Sequence, residues 1–289
     1  MQAHWHIGVI GGSGLAAGIG LDDAQTIEVA SPFGLPSGAV TTGSLGGVRF
    51  TFLPRHGLGH AIPPGAVNYR ANIDVLKRCG VTDLVAVSAI GSLNSAMVPG
   101  HFVAVDQFID RTCGREGSFF GPGLVAHVGL ADPVCPRLSA GLAEAARKED
   151  AIVHQGGCYI AIEGPQFSTR AESKLYQNWG ADVIGMTGMP EARLAREAEL
   201  PYALLGMVTD YDSWRESEES VDVTAVLAVM ARNTDLARAV LCRFAALLPK
   251  RRTASPLDTA LDNAIMTAPE ARDPVLLAKL QAVAGRVLS

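Results

Sequence analysis

The segment Asp83–Ala89 reads DLVAVSA and is apolar at both alternating positions of an extended chain. A strand with one face in water alternates apolar and polar residues, so a strand apolar on both sides belongs inside a sheet covered by further layers. Around it, short apolar runs alternate with helical patterns. The spacing predicts strands at Trp5–Ile10, Val48–Leu53, Phe102–Val105, Cys158–Ile162, Asp182–Met186 and Tyr202–Val208. It predicts helices over Asn72–Cys79, Leu138–Lys148, from about Arg170, over Glu191–Glu199 behind Pro190, and over Val223–Leu247. Gly114–Pro136 reads mostly as loop. The expected fold is α/β, a three-layer sandwich with a central mixed, largely parallel sheet. Residues 1–248 form the expected main domain. Residues 249–289 read as a polar linker, Pro249–Pro256, and a helical tail packed on that domain.

Composition narrows the function. The 289 residues are 48% hydrophobic, enough for a large core and too apolar for a disordered chain. The charge is −5, and the one basic cluster is Lys250-Arg251-Arg252, which speaks against a nucleic-acid surface. No apolar run approaches the ~18 residues of a membrane span. Met1–His6 lacks the basic and apolar regions of a secretory signal. The five cysteines are scattered without a CxxC pair, which fits a reducing cytoplasm. The expectation is a cytoplasmic globular protein with neither nucleic acid nor membrane as partner.

Polar motifs fall just after predicted strands: Gly11–Gly14, Arg55-His56, Ser88, Thr187 and Asp210. In α/β sheets ligands gather beyond the carboxyl ends of the strands, so the convergence reads as a site. Gly11-Gly12-Ser13-Gly14 can cradle an anion with backbone N–H groups and a hydroxyl, or be a plain tight turn. Gly12, Gly14 and Ala17 also match a loose dinucleotide fingerprint. No acidic residue closes a second strand about 20 residues on, but a dinucleotide-dependent oxidoreductase stays open as a reading. Arg55 beside His56 offers donors to a phosphate-like anion. His56 and His60 have the i,i+4 spacing of a metal pair, but Gly57, Gly59 and Pro63-Pro64 argue against a helix there, and no metal is expected. Phe167 can stack on a flat ring while Ser168 bonds its edge; an ordinary capped helix with a core Phe is the plain reading. Asp210 and Asp212, if the chain stays extended, point to the same side. Like charges in a desolvated pocket push one pKa upward, so a carboxyl there can carry a proton and act as general acid; an exposed Asp-rich turn is the alternative.

Longer blocks carry a resemblance: IGVIGGSGL (Ile7–Leu15), Arg55–His60 with Val67–Asn72, DQFIDRT (Asp106–Thr112), EGPQFSTRAES (Glu163–Ser173), GADVIGMTGMPE (Gly180–Glu191) and VTDYDSW (Val208–Trp214). In this order they resemble the methylthioadenosine phosphorylase family, one of the trimeric purine nucleoside phosphorylases. The resemblance implies that family's fold and a homotrimer. It implies phosphorolysis of S-methyl-5′-thioadenosine to adenine and 5-methylthioribose 1-phosphate, with inorganic phosphate as co-substrate and no cofactor. It places Ser13, Arg55, His56, Ser88, Ala89 and Thr187 at phosphate, and Met186 at the sugar. It puts Asp210 at N7 of the base, with Asp212 and Ser168 beside it. Val223, Val226 and Leu227 would wall the methylthio group, and His127 would reach a neighbouring subunit's site. Relatives acting on 6-oxopurines carry Glu at the position of Ser168 and Asn at that of Asp210, so this chain resembles the aminopurine branch. Gly185 departs from the family's more usual Asn. Phosphorolysis of methylthioinosine, inosine or guanosine is the alternative within the class, and a nucleoside-binding module without turnover is the non-enzymatic one.

Overall fold

The computed structural model describes residues 4–12, 14–15, 19–215 and 223–288. In chain order the strands are β1 (His6–Gly11), β2 (Asp22–Ile27), β3 (Val40–Leu45), β4 (Val48–Pro54), β5 (Asp83–Ser92), β6 (Phe102–Ala104), β7 (Gln107–Arg111), β8 (Val153–Gln155), β9 (Cys158–Ile162), β10 (Val183–Gly185) and β11 (Tyr202–Asp210). The helices are α1 (Tyr69–Arg78), α2 (Pro136–Lys148), α3 (Arg170–Asn178), α4 (Gly188–Glu197), α5 (Val223–Leu247), α6 (Pro274–Lys279) and α7 (Gln281–Leu288). All strands join one mixed sheet in the order β2-β3-β4-β1-β5-β10-β9-β7, with β11 also on β5, β6 on β11 and β8 on β6.

The two-sided apolar pattern of β5 has the consequence expected of it. Leu84 and Ala86 face a core shared with Ile73 and Leu76 of α1 and Ala192 and Ala195 of α4. Val85 and Val87 face the opposite core, with Leu138 and Leu142 of α2 and Val240 and Phe244 of α5. Helices thus cover the sheet on both sides. A smaller cluster joins Tyr176 of α3 to Ile160 and Ile184. Among the described residues no helix is long and apolar enough to cross a membrane.

Local chemistry sets where elements begin. Asn68 accepts from Ala71 N at 3.0 Å, so α1 starts at Tyr69, before the expected Asn72. Thr169 and Glu172 form a reciprocal capping box that starts α3. The backbone is non-helical at Met189, so the regular part of α4 begins at Pro190, as its φ preference suggests, and ends at Glu197. Sequence periodicity misses β2, β3, β7 and β8. Every residue of β2 is exposed, so burial imposes no alternation on it.

The tail is tied back by specific contacts. Trp5 Nε1 donates to Pro249 O at 2.8 Å. Arg252 bonds Asp83 and Asp258, Arg286 bonds Glu199, and Leu261, Leu280 and Val283 enter the α1–α4 core. The loop between β7 and α2 is anchored by Glu197, which accepts from Ser118 Oγ at 2.8 Å and Phe119 N at 2.7 Å. Burial pushes the Glu197 carboxyl up to about 7, against those hydrogen bonds and the nearby Arg193 and Arg70.

That shift makes stability depend on pH. Below the unperturbed value of 4.5, Glu197 is protonated in both folded and unfolded chains. As pH rises toward 7 the unfolded chain loses a proton that the folded one keeps, so stability falls through this window and levels off above it. Glu197→Gln keeps an acceptor and removes the titration. Denaturation at pH 5 and pH 8 should show the parent losing about 2–3 kcal/mol more than the variant over that interval; parallel losses would refute the assignment.

Candidate functional site

The sheet parts at the end of β5, and the site lies in that parting. β11 runs parallel to β5 as far as Val208 opposite Ile90, then shifts register so that Asp210 stands opposite Gly91. The irregularity skips Thr209 and brings Asp210 into the ladder as the last residue of β11, as bulges re-aim side chains beside many sites. Gly91 is required there: a Cβ would come within 2.9 Å of Asp210 Oδ1. On the other side β10 runs antiparallel to β5, with Val183 opposite Ser92 and Ile184 opposite Gly91. Continued past the end of β10, that register sets Thr187 against Ser88, and their hydroxyls lie 3.3 Å apart.

A cavity of about 910 Å³ opens over these ends. Arg55, His56, Ser88, Ala89 and Thr187 line it, and so do Phe167, Met186, Asp210 and Asp212. Gly12 and Gly14 border it too, while Ser13 and Ala17 lie outside the described residues. Ile90, Ile184, Met207 and Met230 give it apolar walls. Phe167 is 46% exposed, so it is not the core residue of the plain reading.

Arg55 and His56 differ from the bank of donors the sequence suggests. Arg55 is only 2% exposed and is held by Glu191 of α4, Nε to Oε2 at 2.8 Å and Nη2 to Oε1 at 3.0 Å. Its Nη1 and Nη2 also donate to Val87 O and Ile10 O. Tyr202 completes the group by donating to Glu191 Oε1 at 3.0 Å. Burial opposes the guanidinium charge, but Glu191 more than restores it, so Arg55 stays protonated. His56 Nδ1 lies 2.9 Å from Ile62 O, which fixes it as the donor nitrogen. Burial first, then the Arg55 and His60 charges, bring its pKa down to about 4. At neutral pH the ring is therefore uncharged and its Nε2 is an acceptor. His60 stacks on it with centroids 4.2 Å apart. Among the described residues no group of three or more His, Cys, Asp or Glu is placed to hold a metal.

The two carboxyls converge through a turn, where an extended chain was expected. Asp210 Oδ1 accepts from Asp212 N at 2.8 Å, and Asp212 has φ 50° in the left-handed region. Thr209 Oγ1 donates to Asp210 Oδ2 at 2.7 Å. Asp212 is buried and accepts from Ser173 Oγ. Burial, with Asp210 adding its charge, raises the Asp212 pKa, while the Ser173 and Ser213 hydrogen bonds oppose the rise. Asp212 is thus pushed up, and desolvation contributes more than the like charge. Ser168, 8% exposed, lies alongside Asp212, yet its hydroxyl makes no hydrogen bond of ordinary length among the described residues.

Two expected residues stand elsewhere. His127 is exposed, on the separate face where Ala126 bridges Ile265, and does not line this cavity. Val223, Val226 and Leu227 begin α5, with side chains outside the described residues. Sequence reasoning misses three supports. Glu191 is separated from Arg55 by 136 positions. Arg115 is buried and donates to Glu163 Oε2, Tyr69 Oη, Met186 O and Met189 O, pinning the backbone on either side of Thr187. Tyr159 lies under the same segment and accepts from Thr187 N. No spacing signals them, because each meets the site from a segment distant in sequence.

Residues 6–246 match the model of the phosphorylase superfamily. A relative from Cereibacter sphaeroides, S-methyl-5′-thioadenosine phosphorylase, is 59% identical over 98% of this chain and 98% of its own. The crystal structure of a methylthioadenosine phosphorylase from an Antarctic soil metagenomic library superposes with a TM-score of 0.90 at 42% identity, covering 98% of this chain and 99% of that one. A mutant adenosine/methylthioadenosine phosphorylase from Schistosoma mansoni, solved in complex with methylthioadenosine, gives a TM-score of 0.78 at 38% identity over 84% of this chain and 91% of that one. On this likeness, which spans nearly the whole length, the chain belongs to the phosphorylase superfamily and, within it, to the methylthioadenosine phosphorylase family.

Proposed function

We propose that the protein is a pentosyltransferase that cleaves S-methyl-5′-thioadenosine with inorganic phosphate, giving adenine and 5-methylthioribose 1-phosphate for purine and methionine salvage. The observation that carries this is one cavity with hydroxyl and guanidinium donors at one end and a carboxyl pair at the other. Phosphorolysis needs both ends. The bond from C1′ to N9 breaks through an oxocarbenium-like sugar, so the leaving purine takes up a proton at N7 while an anion faces the cation. Phosphate supplies that anion, and its oxygen then bonds to C1′.

In this reading Ser88 and Thr187 hydroxyls, the Ala89 backbone, Ser13 and one edge of Arg55 hold phosphate. Neutral His56 accepts from a protonated phosphate oxygen. Met186 lies against the sugar and Phe167 against the base. Asp210 takes N7, and Asp212 with Ser168 reads the 6-amino edge. Because the two carboxyls interact, the proton they share belongs to the pair. Val223, Val226 and Leu227 wall the methylthio end. His127, exposed and away from its own cavity, serves a neighbour's site in a cytoplasmic homotrimer. No metal or organic cofactor enters the reaction.

The first test is a product assay with methylthioadenosine, methylthioinosine and inosine, each with and without phosphate. Adenine should form from methylthioadenosine only when phosphate is present; phosphate-independent release, or a preference for inosine, would overturn the reading. Sedimentation at assay concentration should give a trimer, and a fully active monomer would refute the role of His127.

Arg55→Ala should do more than weaken phosphate binding. It strands the Glu191 carboxylate, a loss that costs about 3–5 kcal/mol when a buried pair is broken from one side. The variant should melt lower and need more phosphate. Adding Glu191→Gln should recover the melting temperature but not the phosphate KM.

Asp210→Ala should lower kcat by roughly 10²–10⁴, the span of a positioned general acid. Asp210→Asn keeps a donor for N7 and adds one for a 6-oxo group, so it should lose methylthioadenosine more than methylthioinosine. An unchanged ratio of kcat/KM between the two substrates would remove Asp210 from the base.

A further inference from the structure

Tyr159 stands on β9, fully buried, with its ring under the segment Gly185–Gly188. Its phenol oxygen accepts from Thr187 N at 3.2 Å and from Gly188 N at 3.3 Å. These amides lie just before the regular part of α4, which begins at Pro190, so no turn of the helix can use them and they need a partner from outside it. Thr187 caps nothing with its own side chain, so its hydroxyl stays available to face Ser88. The same phenol fills the room beside two glycines. A Cβ at Gly185 would come within 2.2 Å of Tyr159 Oη and 2.7 Å of Cζ, and one at Gly188 within 3.0 Å of its ring. Phe108 packs against the ring at 5.3 Å between centroids and leaves it no easy retreat. The two glycines and the tyrosine therefore work as one unit: the absent side chain at Gly185 is the condition for the phenol to reach the backbone above it.

We propose that Tyr159 is a positioning residue of the phosphate end, its hydroxyl fixing the Thr187–Gly188 backbone so that the Thr187 hydroxyl is held against Ser88, with Gly185 as its obligatory partner. It acts through Thr187 and does not touch the nucleoside. Arg115 holds the Met186 and Met189 carbonyls from another direction, so the segment is pinned at four backbone atoms. Loss of the phenol oxygen releases the two amides and leaves Thr187 free to rotate away from Ser88. Burial raises the phenol pKa, so the group acts as a neutral hydroxyl. The inference rests on the assignment of Thr187 to phosphate made above.

The test is Tyr159→Phe, which keeps the ring and removes the oxygen. Binding of inorganic phosphate by calorimetry and the phosphate KM should both weaken by about 3- to 30-fold, as expected when a buried N–H loses its acceptor, while the methylthioadenosine KM stays within about twofold. Equal weakening toward both substrates, or none toward phosphate, would overturn the proposal. Gly185→Ala, which presses on the phenol from the other side, should give the same split in the parent and little further loss in a Tyr159→Leu background, where the space is vacated. An equal cost in both backgrounds would show that the two residues are uncoupled. Should Tyr159→Phe fail to fold, the Gly185→Ala pair decides alone. If the parent itself neither binds phosphate nor uses it, the assignment of activity fails; if the parent does both and Tyr159→Phe matches it, only the role of Tyr159 fails.

Discussion

The site depends on one constraint, the change of partners along β5. On one edge the strand bonds β11 in parallel over Leu84–Gly91; on the other it bonds β1 in parallel over Asp83–Ala86 and then β10 antiparallel at Gly91 and Ser92. On the second edge β1 has left after Ala86 and β10 begins only at Gly91, so the sheet opens between them, over Val87–Ile90. Asp210 ends β11 on one edge of β5, and Met186-Thr187 follow β10 on the other. Their separation is set by two ladders of backbone hydrogen bonds, which move less than loops do. Both ends of the cavity are therefore referred to a single rigid strand.

How much of this is legible in the sequence follows from how each feature is enforced. Asp83–Ala89 declares itself because burial on both faces leaves Leu84–Val87 apolar without alternation. Residues that end strands, such as Arg55, Thr187 and Asp210, are legible because their polarity contrasts with the apolar run before them. The capping box of α3 is legible for the same local reason. Features made by pairing distant segments are not. Nothing near Arg55 in sequence announces Glu191, and nothing near Gly185 announces Tyr159. Strand β2 is silent because water covers its residues and no face is selected.

The protonation of the site shows the same division. The Asp210 and Asp212 spacing suggests like-charge coupling, and an upward shift is what Asp212 has. The leading cause, however, is desolvation, a property of the packed neighbourhood that spacing cannot carry. His56 is the clearer case. Beside an arginine it reads as one more positive donor for an anion, yet the folded chain buries it, sets it on Ile62 O and leaves it neutral. The Arg55 charge that reinforces this neutrality is itself sustained by Glu191, so the ion pair behind His56 helps to fix its charge state.

That pairing changes how an anion is held. Arg55 is already balanced by Glu191, and His56 brings no charge, so among the described residues these two add little unpaired positive charge to the end proposed for phosphate. Under the proposed assignment of phosphate to this end, its attraction would come chiefly from placed dipoles: the Ser88 and Thr187 hydroxyls and the backbone amides around them. A charge attracts from several ångströms and tolerates misplacement, whereas a hydroxyl weakens steeply once its angle or distance is wrong. A site built on dipoles needs its backbone held firmly, and the Met186–Gly188 segment is held from both sides, by Arg115 on its carbonyls and Tyr159 on its amides. The same economy of charge suits the reaction. In the proposed phosphorolysis an end crowded with free cations would oppose the positive charge that develops on the sugar, while a balanced ion pair behind neutral donors would orient the phosphate and leave its negative charge to face that cation.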